Sequence, residues 1–471
     1  MNSCAKRLLM RALRTRRRAT TLLAAICVVA TVLAIAFNIG AAEPPVTAND
    51  EERRALLGRF FAEEDTEARR ALAGRFAAVA PADWADVKRL LHESAPRPAL
   101  AAGVHEFQTP GSEPIPSIRY ILRVPPDYKP NSPRGWPLVM TCHWTDSNAK
   151  RTLAWVKGVL GPDIDRYLVA CPNSPDPGVY RSSRVTDMYP LDVLADVRRR
   201  ANVDSDRCLL TGYSRGGYQT WATSLFSPGE WAGAAPLASA PIAELGLVSA
   251  KIYLENVLNL PVQAHWGDQD ILRGQTMGIN TLSRTAADWF KAQDAEHFEP
   301  VEYKGQGHDL KLKREMIRAF LAKVRRDPFP RQLTYLFHRM YHGRAWYVTA
   351  TQASAPEVDF RERVPIRGGY RPEDVRRTLE QVWTRKGYHL AVRMPEGQNL
   401  IAVTARNLRE VEVELPVERL DFGRPIRVTA GGTSRTGATD GVDWICLLET
   451  VRRTYDFEHL IGDRVTVPTG R

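Results

Sequence analysis

Hydrophobic positions change their spacing more than once along this chain of 471 residues. Over 51–94 they recur at helical intervals, as in Leu56, Leu57, Phe60 and Phe61 and again across 71–79. Pro81-Ala82-Asp83-Trp84 reads as a fresh helix start, with Asp83 or a neighbour capping the run 87–91. Pro96 and Pro98 close this section, whose Arg and Glu residues read as a solvated face. From about 104 the period shortens. Runs at 104–107, 117–124 and 136–142, separated by Pro, Gly and Asn turns, predict strands. Helices and strands then alternate. Helices are expected over 150–159, 188–201, 218–225, 281–292 and 311–325, and strands over 167–171, 207–211, 233–237, 260–266 and 301–303. An antiparallel start followed by β-α alternation implies a mostly parallel sheet with helices on both faces. Asp327-Pro328-Phe329-Pro330 interrupts the pattern and reads as a linker. Beyond it, strand-like runs at 333–337, 346–351, 388–392, 400–404, 411–415, 426–429 and 464–467 surround helical patches at 372–383 and 444–455. Gly431 to Gly437 reads as a loop.

This organisation divides the chain into 1–42, a helical segment 43–103, an α/β domain 104–328 and a β-rich α+β domain 329–471. The first segment absorbs most of the charge. The net charge is +11, but seven Lys and Arg residues and no acid lie in 1–18, and 19–42 are uncharged, so seven fewer positive charges leave +4 beyond residue 42. A body that mild gives no electrostatic case for nucleic acid. The basic run leads into an apolar stretch over 19–37 and then Asn38-Ile39-Gly40-Ala41-Ala42-Glu43. Small residues there suit a signal peptidase cutting after Ala42. The competing reading is an uncleaved anchor, since 19 residues just span a bilayer. Either way the body is expected to be exported, with membrane contact only through 19–37 if that stretch is retained. Past the leader, Cys142, Cys171, Cys208 and Cys446 form no C-x-x-C pair. A Cys142–Cys171 bridge is open, although neighbouring strands rarely offer its geometry.

The chemistry gathers around Gly212-Tyr213-Ser214-Arg215-Gly216-Gly217, between the strand at 207–211 and the helix at 218–225. Strand, sharp glycine turn with a central serine, then helix is the setting of a nucleophile elbow. A serine hydroxyl needs a base to take its proton and a carboxylate to orient that base. In elbow sites these follow in the order serine, acid, histidine. His265-Trp266-Gly267-Asp268-Gln269-Asp270-Ile271-Leu272 supplies two carboxylates just past a strand. Asp270, before an apolar pair, is the better placed to point inward, while Asp268 reads as a turn residue bonding its own backbone. Lys304-Gly305-Gln306-Gly307-His308-Asp309 supplies the base in a glycine-rich loop after a strand. Of ten histidines, His308 has both the order and the loop; His92, His297 and His459 read as surface residues. An oxyanion hole needs two backbone N–H groups. Arg215, after the serine, and Trp144, in Cys142-His143-Trp144-Thr145-Asp146, are the candidates. His143 reads as a brace for that loop rather than a second base. Tyr180 and Arg181-Ser182-Ser183-Arg184 lie over the same sheet edge, as a solvated loop or as contacts to an acidic or sugar substrate. Trp221 and Trp231 read as core. His338, Tyr341, His342, Trp346 and Tyr347 read equally as packing or as a binding surface.

Residues 104–325 resemble an α/β-hydrolase, similar to secreted bacterial carboxylesterases and to prolyl-oligopeptidase-like serine hydrolases. The resemblance rests on the elbow, on Asn202-Val203-Asp204-Ser205-Asp206-Arg207 before it, and on Gly216-Gly217-Tyr218-Gln219-Thr220-Trp221. It implies Ser214 as nucleophile, Asp270 as acid, His308 as base and the N–H groups of Trp144 and Arg215 as oxyanion donors. Many such esterases carry a His-Gly-rich oxyanion loop. Trp144 stands where glycine is expected and implies a bulky wall beside the acyl pocket. The implied activity is cleavage of a small-molecule or polysaccharide-linked carboxylic ester, with no metal or cofactor. A peptidase using the same residues is the first alternative. The stretch before residue 104 is too short for the propeller the resemblance associates with oligopeptidases, which favours esters. A non-catalytic carbohydrate- or wall-binding protein on this scaffold is the second alternative.

Overall fold

The β strands at the centre of the chain are buried on both faces, which is why they read as continuous apolar runs rather than as alternating ones. The computed structural model describes residues 48–470 except 112, 177, 179, 242–249, 272–277, 367–370 and 438–439. The leader reading of 1–42 lies outside the described residues. Two units, 1–51 and 52–471, separate along the chain, and of the first only 48–51 are described. No helix among the described residues is long and apolar enough to cross a membrane.

Among the described residues three helices come first: α1 (Ala48–Ala62), α2 (Thr66–Ala77) and α3 (Trp84–Ser94). Asp65 and Asp83 cap α2 and α3, each accepting a backbone N–H of the first turn. The central sheet follows, built from β1 (Gly103–Gln108), β2 (Arg119–Val124), β3 (Trp136–Cys142), β4 (Leu168–Pro172), β5 (Val203–Tyr213), β6 (Gly233–Leu237), β7 (Val262–Gly267) and β8 (Phe298–Tyr303). Its order is β1-β2-β4-β3-β5-β6-β7-β8. β2 runs antiparallel to both its neighbours, and every other pairing is parallel. Five helices cover it: α4 (Ala149–Leu160), α5 (Arg184–Arg200), α6 (Arg215–Phe226), α7 (Ile279–Ala292) and α8 (Arg314–Lys323). Leu153 and Val156 of α4 share one core with Ile317 and Phe320 of α8. Val193 of α5, Trp221 of α6 and Phe290 of α7 share the other. The helices therefore lie on both faces, as the alternating pattern predicts.

The C-terminal region contains β9 (Gln332–Phe337), β10 (Arg344–Ala345), β11 (Val348–Ala353), α9 (Pro372–Lys386), β12 (Tyr388–Arg393), β13 (Leu400–Arg406), β14 (Leu408–Pro416), β15 (Ile426–Ala430), β16 (Thr433–Gly437), α10 (Trp444–Thr454) and β17 (Ile461–Pro468). They form the sheets β10-β11-β14-β17 and β16-β15-β13-β12-β9. The segment read as a loop at 431–437 is in fact a hairpin. Gly431 and Gly432 turn at φ 53° and 83°, and β16 pairs antiparallel with β15. Its Thr-Ser-Arg-Thr-Gly composition carries no apolar alternation because it is an edge strand, with its middle three residues exposed.

Packing joins segments the pattern keeps apart. Leu57, Phe60, Phe76 and Leu90 of the first helices share a core with Val348, Val411, Leu447 and Val451. The charged residues of these helices are accordingly not a uniformly solvated face. Arg69 is buried and bonds Glu449, and Lys88 pairs with Glu418 at 2.9 Å. His92 and His459 are likewise buried, not surface residues. His92 bonds Asn202 at 2.7 Å, and His459 bonds Glu414 at 2.8 Å. The Pro-rich segment after α8 is packed, with Phe329 1% exposed. Just before it, buried Arg326 makes a two-pronged bond to Asp456 at 2.8 and 3.0 Å and a third to Asp206 at 3.0 Å. Burial opposes its charge, but Asp456 and Asp206 hold it ionised. Cys142, Cys171, Cys208 and Cys446 are all free thiols.

Arg326→Met removes the partner shared by buried Asp456 and half-buried Asp206, leaving Asp456 with Arg198 at 3.3 Å. It is expected to lower stability by about 3–5 kcal/mol, read as a fall in the urea midpoint. An unchanged midpoint would show that the cluster holds nothing together.

Candidate active site

Ser214 sits between β5 and α6 with φ 56° and ψ −119°, a conformation a serine adopts only under constraint. Its N–H is held by the Leu237 carbonyl at 2.9 Å. The flanking glycines are required by close approach. A Cβ on Gly212 would overlap the Gly216 carbonyl, and one on Gly216 would overlap the Cys142 carbonyl. The turn presents the hydroxyl beyond the sheet, where Ser214 Oγ lies 2.7 Å from His308 Nε2. His308 Nδ1 lies 3.0 and 3.2 Å from the two oxygens of Asp270. Asp270 is 1% exposed, whereas the His308 side chain is 37% exposed. The hydrogen bond His308 donates to Asp270 holds the imidazole above its ordinary pKa, against the opposing effect of burial. An Nδ1–H tautomer donates to Asp270 and leaves Nε2 free to accept from the serine.

Of the two competing carboxylates, Asp270 meets His308. Asp268 is a turn residue, but it does not bond its own backbone as expected. It accepts the Gly305 N–H at 2.8 Å and so ties the turn after β7 to the histidine loop. A carboxylate followed by its own turn favours a local bond, but here a loop 37 residues away supplies the closer donor.

The two side chains beside Ser214 act as fasteners, which the elbow motif alone does not disclose. The Tyr213 hydroxyl donates to the His308 carbonyl at 2.5 Å and accepts the Leu310 N–H at 2.8 Å. Burial pushes that phenol up to about 12. On the other side Arg215, 2% exposed, donates to Gly178 O at 2.8 Å and Ser174 Oγ at 2.6 Å. The oxyanion candidates are distributed as follows. Arg215 is the first residue of α6, so its backbone N–H belongs to the open helix N-terminus. Trp144 is half-buried in the loop after β3 and walls the cleft. His143 braces that loop, with Nδ1–H donating to Trp144 O at 2.7 Å and Nε2 accepting the Ser174 N–H at 2.9 Å. Burial keeps this ring below its ordinary pKa, which matches that neutral pattern.

The loop before α5 is not simply solvated. Tyr180 is buried and bonds Asp187 at 2.5 Å, Ser182 bonds the same carboxylate at 2.8 Å, and Ser183 caps α5. Trp221 and Trp231 are core. His338, His342, Trp346 and Tyr347 are packed inside, not displayed. A cleft of about 720 Å³ opens at Ser214 and His308, walled by Trp144, Trp155, Tyr213 and Leu312.

The strand order, with β2 reversed and the serine turn following β5, decides the architecture. The central domain has the α/β-hydrolase fold. Solved structures similar to it include a thermostable esterase, at 20% identity over 47% of this chain and 63% of its own, with TM-score 0.36. They also include a substrate-bound fluorophosphonate-binding serine hydrolase of Staphylococcus aureus, at 14% over 47% and 98%, TM-score 0.37. Dipeptidyl peptidase 4 of Porphyromonas gingivalis matches at 12% over 48% and 36%, TM-score 0.37. The chain thus spans less than two thirds of that esterase, and the fold rests on strand order rather than on these scores. No family model matches the sequence, and no curated protein matches it.

Tyr213→Phe removes one hydrogen bond each from the His308 carbonyl and the Leu310 N–H. Amide exchange at Leu310 is expected to quicken about fivefold, corresponding to roughly 1 kcal/mol. Unaltered exchange there, with global stability intact, would show that the phenol does not hold the loop.

Proposed function

We propose that the protein is a serine hydrolase acting on carboxylic esters. The observation that carries this reading is the unbroken chain from Ser214 Oγ through His308 to Asp270, anchored on a strained turn. In this reading His308 Nε2 takes the hydroxyl proton as Oγ bonds the ester carbonyl carbon. The oxygen of the resulting tetrahedral centre gains negative charge, and the N–H groups of Arg215 and Trp144 are the proposed donors to it. Collapse expels the alcohol, which leaves with the proton from His308. Water then attacks the acyl-enzyme, giving its proton to His308, and the acid departs as Ser214 recovers its hydrogen. Asp270 keeps the imidazole oriented and stabilises its charged form.

A serine-directed fluorophosphonate is expected to label the native protein and not Ser214→Ala. A folded native protein that resists labelling would end the enzyme reading. Hydrolysis of para-nitrophenyl acetate exceeding that of peptide anilides favours esterase over peptidase. The neutral base is the active form, so kcat/KM falls as pH drops through the His308 pKa, which lies above the ordinary value of about 6.5. Asp270→Asn removes the group that raises it. The acid limb then moves to lower pH and the plateau drops by about 10⁴-fold.

We propose further that the body is exported, on the basic, apolar and small-residue order of 1–42. Mature protein recovered from the periplasm or medium of an expressing bacterium should begin at Glu43. Retention of Met1 on a membrane fraction would favour the anchor.

A further inference from the structure

We infer that the preferred substrate is an ester carrying an aryl group and a carboxylate together. This rests on the hydrolase reading of Ser214 and refines it. Beside the serine the cleft wall is a relay of edge-packed rings. Trp144 lies 6.1 Å from Trp155, Trp155 lies 5.9 Å from Tyr213, and Tyr213 lies 6.1 Å from His308. Leu310 and Leu312 complete the apolar lining. A flat ring has both the matching surface and the room in about 720 Å³.

Charge around this wall is lopsided. Lys311 and Arg314 line the cleft, and neither is ion-paired among the described residues. Neighbouring cations of the same domain are paired, as Lys304 is with Glu302 at 2.8 Å and Arg318 with Asp163 at 3.7 Å. A third cation, Arg151, lies over the Trp144 ring at 5.7 Å and donates to the Asp146 carbonyl. Among the described residues lining the cleft, Asp309 is the one acid. The loop that bears Lys311 is held in place. Its N–H donates to Gln306 Oε1 at 2.7 Å, and the preceding N–H is the one fastened by Tyr213. Long cationic side chains lay their stems on apolar surface and keep their charged ends at its edge. A carboxylate at the far side of a ring bound on the tryptophan wall meets those ends. Arg314 offers it a planar fork and Lys311 a point charge.

Two esters that differ only in this charge test the inference: methyl hydrocinnamate and its para-carboxy derivative, with para-nitrophenyl acetate as the reporter of basic turnover. The carboxylated ester is expected to have the higher kcat/KM by roughly fivefold to tenfold at low salt, in the range of exposed ion pairs. The ratio should shrink in about 1 M salt, where screening acts over about 3 Å. In the double variant Lys311→Ala, Arg314→Ala it should fall to about one, and Lys311→Glu, Arg314→Glu should invert it. Turnover of para-nitrophenyl acetate with a ratio at or below one in the native protein overturns the inference and leaves the hydrolase reading standing. So does a ratio that survives the double substitution. Absence of both acetate turnover and phosphonate labelling removes the two readings together.

Discussion

The constraint on which the site depends is the backbone of Ser214. A φ of 56° on a residue with a Cβ costs about 1–3 kcal/mol and persists only where its surroundings leave it no alternative. Here they do so from several directions. The Leu237 carbonyl fixes the N–H, and the carbonyls of Gly216 and Cys142 occupy the space where flanking side chains would stand. Tyr213 and Arg215 then reach in opposite directions, one to the histidine loop and the other to the loop at 174–178. The turn cannot relax without unseating both rims of the site.

The C-terminal region reinforces the same elements from behind. Tyr335 of β9 donates to the Phe226 carbonyl at 2.8 Å, at the end of the helix that begins beside the serine. Asn256 bonds Leu225 O and both backbone groups of Leu336, tying that helix to β9. His342 stacks on Phe226 and lies 3.3 Å from Asp187, the carboxylate that holds Tyr180 and Ser182. Burial holds His342 below its ordinary pKa, so this is a neutral ring against a carboxylate. The buried Arg326 cluster performs a similar task at the opposite end of β5, where Asp206 and Asp456 meet. Arg326 is the partner both carboxylates share, and without it Asp456 keeps Arg198 at 3.3 Å as its remaining ion-pair partner among the described residues, so the cluster depends on that guanidinium.

The misread residues share a cause. His92, His459 and Arg69 look like surface groups because their partners are remote in sequence: Glu458 lies 366 positions from His92, Glu449 lies 380 from Arg69, and Glu414 lies 45 from His459. The Pro-rich stretch around Phe329 looks like a linker because proline and glycine signal irregular backbone, not exposure. β16 is invisible to a pattern that needs one buried face, since pairing with β15 alone makes it a strand. Asp268 follows the turn rule but finds its donor across the site.

The chain alone was sufficient for the central architecture and for the order serine, acid, histidine, because both are written in local terms. Two-faced burial makes apolar runs, helices have their own period, and a reversal this sharp admits only glycine at its flanks. Tertiary structure alone decided what Tyr213 and Arg215 hold, and that the first helices and the last share one core. It also placed Lys311 and Arg314 on the same cleft as the tryptophans. Those outcomes depend on distances between residues far apart in sequence, and local spacing carries no information about them. The serine turn belongs to both accounts: its residues mark it along the chain, and only the packing around it keeps it in place.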